Sequence, residues 1–374
     1  MRLAIVAPLV EAVPPRLYGG TERVVSVLTE ELVRRGHKVT LFASGDSRTS
    51  AELVACSPNS LRLHGDGLLP TASIMLQLAE VYGNAVSFDV VHNHVDWFAF
   101  PFARLSRVPT ISTTHGRLDL PAIRDTYDRF REQRLVSISA DQRRYVPDAN
   151  WVATVHNGIA IDHFRFRPRA GDYLVFLGRI NAEKRPDRAI EIAGRAGRRL
   201  VIAAKVDPVD RAYYEQEIEP LIHRSPWVEY VGEVDEQEKD AILGGAYAYL
   251  FPIDWPEPFG LTMAESLATG TPVVAWRAGS VPEVVVDGVT GFVRDDMDGM
   301  VRAVEEVAGV DRAACRAHAE RFFSGEAMAD GYEAVYAAVL QSGGFPALLP
   351  ARERALVRFV GGERPEASRG KQSA

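Results

Sequence analysis

The sequence predicts an α/β protein of two Rossmann-like domains, each a parallel sheet flanked by helices. Three observations carry this reading. Short β-rich runs alternate with longer helical patterns almost throughout, the rhythm of βαβ units. The runs fall into two sets, divided by "DHFRFRPRAGD" (162–172), a polar stretch with Pro168 and Gly171 that reads as a hinge. The chain has 374 residues and 47% hydrophobic content, enough for two cores.

The first set of strands reads "LAIVA" (3–7), "KVTLFA" (38–43), "DVVHNH" (89–94), "PTISTTH" (109–115), "LVSIS" (135–139) and "WVATVHNGI" (151–159). Between the first two lies a helix over 21–35. Thr21 is placed to cap it, Val24, Val25, Leu28, Leu32 and Val33 form its apolar stripe, and Gly36 ends it. The second set reads "YLVFLGRI" (173–180), "RLVIAAKV" (199–206), "VEYVGEV" (228–234), "AYLFPI" (248–253) and "TPVVAW" (271–276). An amphipathic helix over 326–341 follows, and the tail after Gly343 reads as flexible. These patterns divide the chain into an N-terminal domain over 1–165 and a C-terminal one over 166–325. Two such sheets facing each other leave a cleft at their strand C-termini.

Bulk properties remove several function classes. A net charge of −7 offers no basic field for nucleic acid. Cys56 and Cys315 give no disulfide framework, which fits a reducing compartment. The N-terminus lacks the apolar core and cleavage site of a secretory signal. No window approaches the ~18 apolar residues of a membrane-spanning helix. The expectation is a cytoplasmic protein, peripheral to the membrane at most, since the apolar run 355–360 is too short to predict an anchor. Nothing in the sequence bears on oligomeric state.

The chemistry concentrates in "PEPFGLTMAESLATGTPVV" (256–274). Pro258 disfavours a helical conformation at Glu257, so Glu257 sits in a turn after a strand. A helix starting at Gly260–Leu261 leaves the amides of Phe259, Gly260 and Leu261 unpaired, and Gly260 lets an oxyanion approach them. Glu265 lies one turn into that helix, roughly 6 Å along its axis, where a carboxylate can grip a ribose diol. The plain alternative is a strand–helix junction with two solvated glutamates. "LGRINAEKRPDRA" (177–189) adds cations for a diphosphate: Arg179 at a strand end and Lys184 before the next helix. "YGGTERVV" (18–25) is a Gly-rich strand-to-helix turn containing Gly19 and Gly20, but it matches no dinucleotide or P-loop fingerprint. "STTHG" (112–116) puts His115 at a strand end facing the cleft, and "TVHNG" (154–158) puts Asn157 at another. Each element alone is also an ordinary loop.

Three further features carry less. His92 and His94 have HxH spacing but no ligand cluster nearby, which argues against a metal. Asp296–Asp298 reads as a helix cap. The arginines at 124, 129, 131, 134, 143 and 144 form a solvated face, or alternatively greet an anionic acceptor.

Taken in chain order, these residues resemble the retaining GT-B glycosyltransferases of family 4 (glycosyl transferases group 1). "EPFGLTMAE" matches that family's E-x7-E element, and 266–293 resembles its continuation. "GRINAEKRPDRAI" is similar to its phosphate element, with Arg185 where glycine is frequent. "VHNGIAIDHF", "YGGTERVV" and "STTHG" resemble its domain-closing segment, glycine loop and active-site histidine.

The resemblance runs from the first strand to about residue 340. It implies a GT-B fold, with the last helix crossing back onto the N-terminal domain. The implied co-substrate is a nucleoside-diphosphate sugar, with a UDP-sugar expected and no metal or other cofactor. The implied acceptor is a small molecule, a glycan or a lipid-linked sugar. Arg179 and Lys184 would hold the diphosphate, helped by Phe259–Leu261 and by Gly19 and Gly20 opposite. Glu265 would hold the ribose, Glu257 the sugar hydroxyls, and the base would stack near 231–234. Asn157 would lie on the donor side, and His115 by the reacting centre. No carboxylate is placed as a covalent nucleophile, so a front-face transfer with retention fits better than double displacement. The alternatives are an epimerase on the same fold, a non-catalytic nucleotide-sugar-binding module, and, more weakly, a nicotinamide oxidoreductase.

Overall fold

A computed structural model of the chain describes residues 1–64 and 70–342. The tail after Gly343, read above as flexible, lies outside the described residues. The strands form two separate sheets. The first contains β1 (Arg2–Val6), β2 (Lys38–Ser44), β3 (Glu52–Ser57), β4 (Val90–Asn93), β5 (Thr110–Thr114), β6 (Arg134–Ser137) and β7 (Trp151–Thr154), in the order β3-β2-β1-β4-β5-β6-β7. The second contains β8 (Tyr173–Arg179), β9 (Arg199–Lys205), β10 (Val228–Gly232), β11 (Ala248–Phe251), β12 (Val273–Trp276) and β13 (Gly291–Arg294), in the order β10-β9-β8-β11-β12-β13. Both are parallel, and both reverse direction of growth next to their first strand, at β1/β4 and at β8/β11. Those switch points are where open α/β sheets bind ligands.

Period-2 alternation explains how each sheet is covered on both faces. Leu3 and Ile5 point into one core layer and Ala4 and Val6 into the other. In the second sheet Val175 and Leu177 face one layer, and Leu174 and Phe176 the opposite one.

Several sequence expectations are refined. Strands β3 and β13 were not anticipated. "ELVACS" has only exposed or half-buried residues, as an edge strand can, and "GFVR" is too short to show a period. Most strands stop one to five residues before their apolar run does, because the last residues bend into the cleft loops. The first helix spans Gly20–Arg34, with Gly19 and not Thr21 at its N-cap position and no side-chain cap. Asp296 does cap the helix Met297–Glu306, accepting a bond from the Gly299 amide at 2.6 Å.

The last described helix, Gly325–Gln341, is capped by Ser324, whose Oγ accepts from the Ala327 amide. It buries Met328, Ala329, Tyr332, Val335, Tyr336 and Val339 at helical spacing. This stripe joins the same core layer as Val24, Val25, Leu28 and Leu32 of the helix Gly20–Arg34, so the chain returns from the second sheet to the first. Arg35 ties the two helices through Asp330 and Glu333, each at 2.6 Å. Ile159 donates to the Phe323 carbonyl at 2.8 Å where the crossing begins.

Tyr332 is fully buried, and its hydroxyl lies 2.9 Å from Thr113 Oγ1. Tyr332→Ala is expected to destabilise the first sheet's unfolding transition by about 3–5 kcal/mol in urea titration. Leu340→Ala, on the exposed side of the same helix, should change it by less than about 0.5 kcal/mol.

Candidate active site

The segments that follow β1, β3, β5, β6, β7, β8, β9, β10 and β11 line a cavity of about 690 Å³. Every residue expected to bind the donor or to act at the reacting centre lines it: Gly19, Gly20, His115 and Asn157 from the first half, and Arg179, Lys184, Glu257, Phe259, Gly260, Leu261 and Glu265 from the second. None of the arginines at 124, 129, 131, 134, 143 and 144 does. The lining holds nine carboxylates and six cations, so affinity for an anion must come from local arrangement and not from a net positive field.

That arrangement consists of matched pairs. Lys184 Nζ is hydrogen-bonded to Glu257 Oε2, and sits 5.0 Å from the Trp255 ring centre and 5.3 Å from that of Phe251. Arg179 lies between Asp207, at 3.5 Å, and Asp210, at 3.2 Å. Lys205, at the end of β9, pairs with Asp207 at 2.8 Å and reaches across the cleft to the Tyr18 ring at 3.9 Å. Glu265, 2% exposed, accepts from Lys239 at 2.5 Å through Oε1, whereas its Oε2 is buried without a partner among the described residues. A buried carboxylate oxygen with no partner is costly, and a diol is one group that would satisfy it.

The backbone prepares the site in two turns. Gly260 has φ 78°, and a Cβ there would stand 2.6 Å from Met263 Cε, so glycine alone fits at the entrance of the helix Leu261–Ala268. Arg185 also adopts a left-handed φ, 55°, and does so without being glycine. Its guanidinium is held by Asp187 at 2.7 Å and by Asp254 at 3.0 Å, and the Asp254 amide donates to the Glu183 carbonyl at 2.8 Å. The loop carrying Lys184 is thereby tied to the loop carrying Glu257.

On the other lip, Gly20 lies against the second half, since a Cβ on it would stand 3.5 Å from Leu261 Cδ1. The His115 backbone amide donates to Asp96 Oδ1 at 3.3 Å, and Asp96 itself has φ 49°. Burial holds the His115 imidazolium down to about 4, so the ring is neutral at neutral pH. Asn157 is buried, with Oδ1 unpartnered among the described residues. Among the described residues, no three His, Cys, Asp or Glu groups gather as a metal site would require. No helix there is long and apolar enough to cross a membrane.

The sequence reading missed Lys205, Lys239 and Trp255. Lys239 lies in "DEQEKD", a helix start with an Asp235–Glu238 capping box, which reads as surface. Only the packing of that helix brings its lysine to Glu265. It also missed the bridges that cross the cleft, Arg23–Glu236 at 2.7 Å and Arg117–Glu183.

Comparison with known proteins bears on the family and the fold. The model for Glycosyltransferase Family 4 matches residues 18–173, and that for Glycosyl transferases group 1 matches 162–309. Among similar proteins is a glycogen synthase of Mycobacterium tuberculosis (strain H37Rv), 28% identical over 361 residues, covering 81% of this chain and 86% of that protein. Another is a D-inositol 3-phosphate glycosyltransferase of Mycolicibacterium smegmatis, 28% identical, covering 81% and 82%. The fold is shared with sucrose-phosphate synthase of Thermosynechococcus elongatus, at TM-score 0.74 and 17% identity over 91% of this chain and 99% of that one. It is also shared with Anabaena HepE in complex with UDP and glucose, at TM-score 0.69 and 16% identity over 90% and 100%. With both sheets, the switch-point cleft and the two matched models in agreement, the chain is a glycosyltransferase of GT-B fold, belonging to Glycosyltransferase Family 4 through its first half and to the group 1 glycosyl transferases through its second.

Proposed function

We propose that this enzyme transfers a sugar from a UDP-sugar to an acceptor hydroxyl, with retention at the anomeric carbon and without a metal. The observation that carries the reading is the convergence at the second switch point: Arg179 and Lys184 after β8, and the Glu257–Gly260 turn after β11, in one cavity. Residues 166–325 hold the donor and 1–165 the acceptor. Arg179, Lys184 and the amides of Phe259, Gly260 and Leu261 take the diphosphate, with Gly19 and Gly20 closing over it. Glu265 takes the ribose through its unpartnered oxygen, and the base lies by Glu233 and Val234, which also line the cavity. Glu257 takes the sugar hydroxyls, with Asn157 beside the donor and His115 beside the reacting carbon. UDP is favoured because HepE, of the same fold, was crystallised with UDP and with UDP-glucose.

In the transfer, the bond from the anomeric carbon to the diphosphate oxygen breaks. The bond to the acceptor oxygen forms on the same face, and the acceptor proton passes to the departing phosphate. Charge grows on that phosphate, and the cations there stabilise it by on the order of 2–4 kcal/mol each. Lys184 is held by Glu257 until the phosphate competes for it.

The acceptor side is different in character. Glu22, at the first turn of the helix Gly20–Arg34, is buried near Glu11, which is ion-paired with Arg62. Burial raises the Glu22 carboxyl from 4.5 to about 7. A carboxyl whose folded pKa exceeds its unfolded one binds its proton more tightly in the fold. Its stabilisation is therefore full below 4.5 and is lost as pH climbs towards about 7.

Lys184→Ala and Glu257→Ala should each remove most transfer activity in a chain that still folds, at a melting temperature lowered by the charge left unpaired; wild-type turnover in either would refute the site. Transfer should persist in excess EDTA, and loss restored by Mg2+ would show a metal requirement. In a thermal-shift panel of UDP-, GDP-, ADP- and dTDP-sugars, the true donor at 100 times its Kd should stabilise by roughly 2.7 kcal/mol. Wild-type stability, measured relative to Glu22→Gln, should fall by about 3 kcal/mol between pH 4.5 and 7, and equal pH profiles would contradict a buried, protonated Glu22.

A further inference from the structure

His92 and His94 take no part in the site described so far, yet they are buried directly behind it. His94 Nδ1 lies 2.8 Å from His115 Nε2, with the two rings stacked at 5.1 Å. One of these nitrogens donates and the other accepts, and two arrangements of neutral rings are open. If His115 Nε2–H donates, the His94 proton must sit on Nε2. That atom is buried and has no partner among the described residues, so an N–H would be stranded there. If instead His94 Nδ1–H donates, the stranded atom is only a bare lone pair. Orphaned buried donors are rarer than under-used acceptors, and stranding one costs more. Both rings are held neutral by burial, which removes the charged alternatives.

The neighbours of His94 keep its ring in place. The His92 ring lies against it, tilted by 37° with the ring centres 4.0 Å apart. His92 is itself held at both nitrogens, by the Tyr336 hydroxyl and by Thr113 Oγ1, each at 2.8 Å. Thr113 is bonded in turn to the Tyr332 hydroxyl at 2.9 Å. Tyr332 and Tyr336 belong to the helix that returns from the second sheet, so the scaffold behind the active-site histidine is completed by that helix.

We propose that His94 is a positioning residue that locks His115 as the Nδ1–H tautomer, so that towards the cleft His115 donates a hydrogen bond and cannot act as a base. His115 Nδ1 has no hydrogen bond within the described residues, and the residue lines the cavity. The oxygen that receives this bond belongs to the sugar or acceptor. That last step rests on the proposed function, whereas the tautomer does not.

The test uses the full chain labelled with 15N-histidine, with His115→Asn identifying the resonance. The expected spectrum shows His115 with a protonated Nδ1 and a bare Nε2. An Nε2–H form, or a mixture of the two, overturns the proposal. His94→Phe should abolish the single tautomer and lower kcat for UDP release from UDP-glucose about tenfold with donor KM unchanged, the loss expected for one weakened hydrogen bond. His94→Asn, whose amide can stand where Nδ1 stood, should restore kcat to within about threefold. A folded His94→Phe variant with wild-type kcat and an unaltered His115 spectrum also overturns it. Wild-type turnover in His115→Ala would instead refute the placement of His115 at the reacting centre, leaving the tautomer to be judged by the spectrum.

Discussion

The structure depends on pairing each cation of the cleft with a carboxylate. Lys184 with Glu257, Lys239 with Glu265 and Arg179 with Asp207 place each cation against a carboxylate from another part of the fold, while Lys205 pairs with Asp207 two residues on. Removing one partner of such a pair leaves an uncompensated charge, which is far costlier than the pair is worth. The pairs therefore position loops from different strands against one another. They also leave the cleft without excess positive charge, so an anion must displace carboxylates and cannot simply be attracted. The proposed diphosphate is suited to this because it carries two charges and would meet helix amides together with the cations.

Parallel sheets make this convergence possible. In each half the first strand stands beside the fourth, and the loops after those two strands diverge to opposite faces. The gap between them is where a backbone amide and a cation can approach one ligand atom without steric competition. Facing two such gaps puts Arg179, Lys184 and Glu257 on one wall and His115 on the other. The returning helix Gly325–Gln341 completes the first half's core, and Ile138 and Ile159 join the core around Val175 and Tyr249, so the two halves share a packed layer as well as a linker.

Much of this was legible in the sequence. The alternating runs gave the sheets, and the residues at strand ends gave the cleft, since a strand's last side chain in a parallel sheet has only one place to go. The E-x7-E spacing was readable because Pro258 and Gly260 fix the backbone between its members. What escaped notice had no local signature. Lys239 reaches Glu265 only through the packing of its helix, and in the sequence it sits among charges typical of a solvated face. The HxH pair was weighed only as a metal site. Its partners, Thr113 and Tyr336, stand 21 and 244 residues away from His92, and no periodicity links them. Edge strand β3 has no clear apolar pattern because its residues are only partly covered, Leu53 against one core layer and Val54 and Cys56 against the other.

Arg185 illustrates what a departure from a common pattern can mean. Glycine at that position would make the turn without strain, but it would leave the Lys184 loop free to sample many conformations. Arginine pins the turn through Asp187 and Asp254 while the chain folds. The conformational entropy of that loop is thus surrendered before any ligand arrives, so less of it remains to be lost on binding. A cleft built this way presents its lysine already in place, and the selectivity of an encounter with it rests on shape and not on a ligand's capacity to organise the loop.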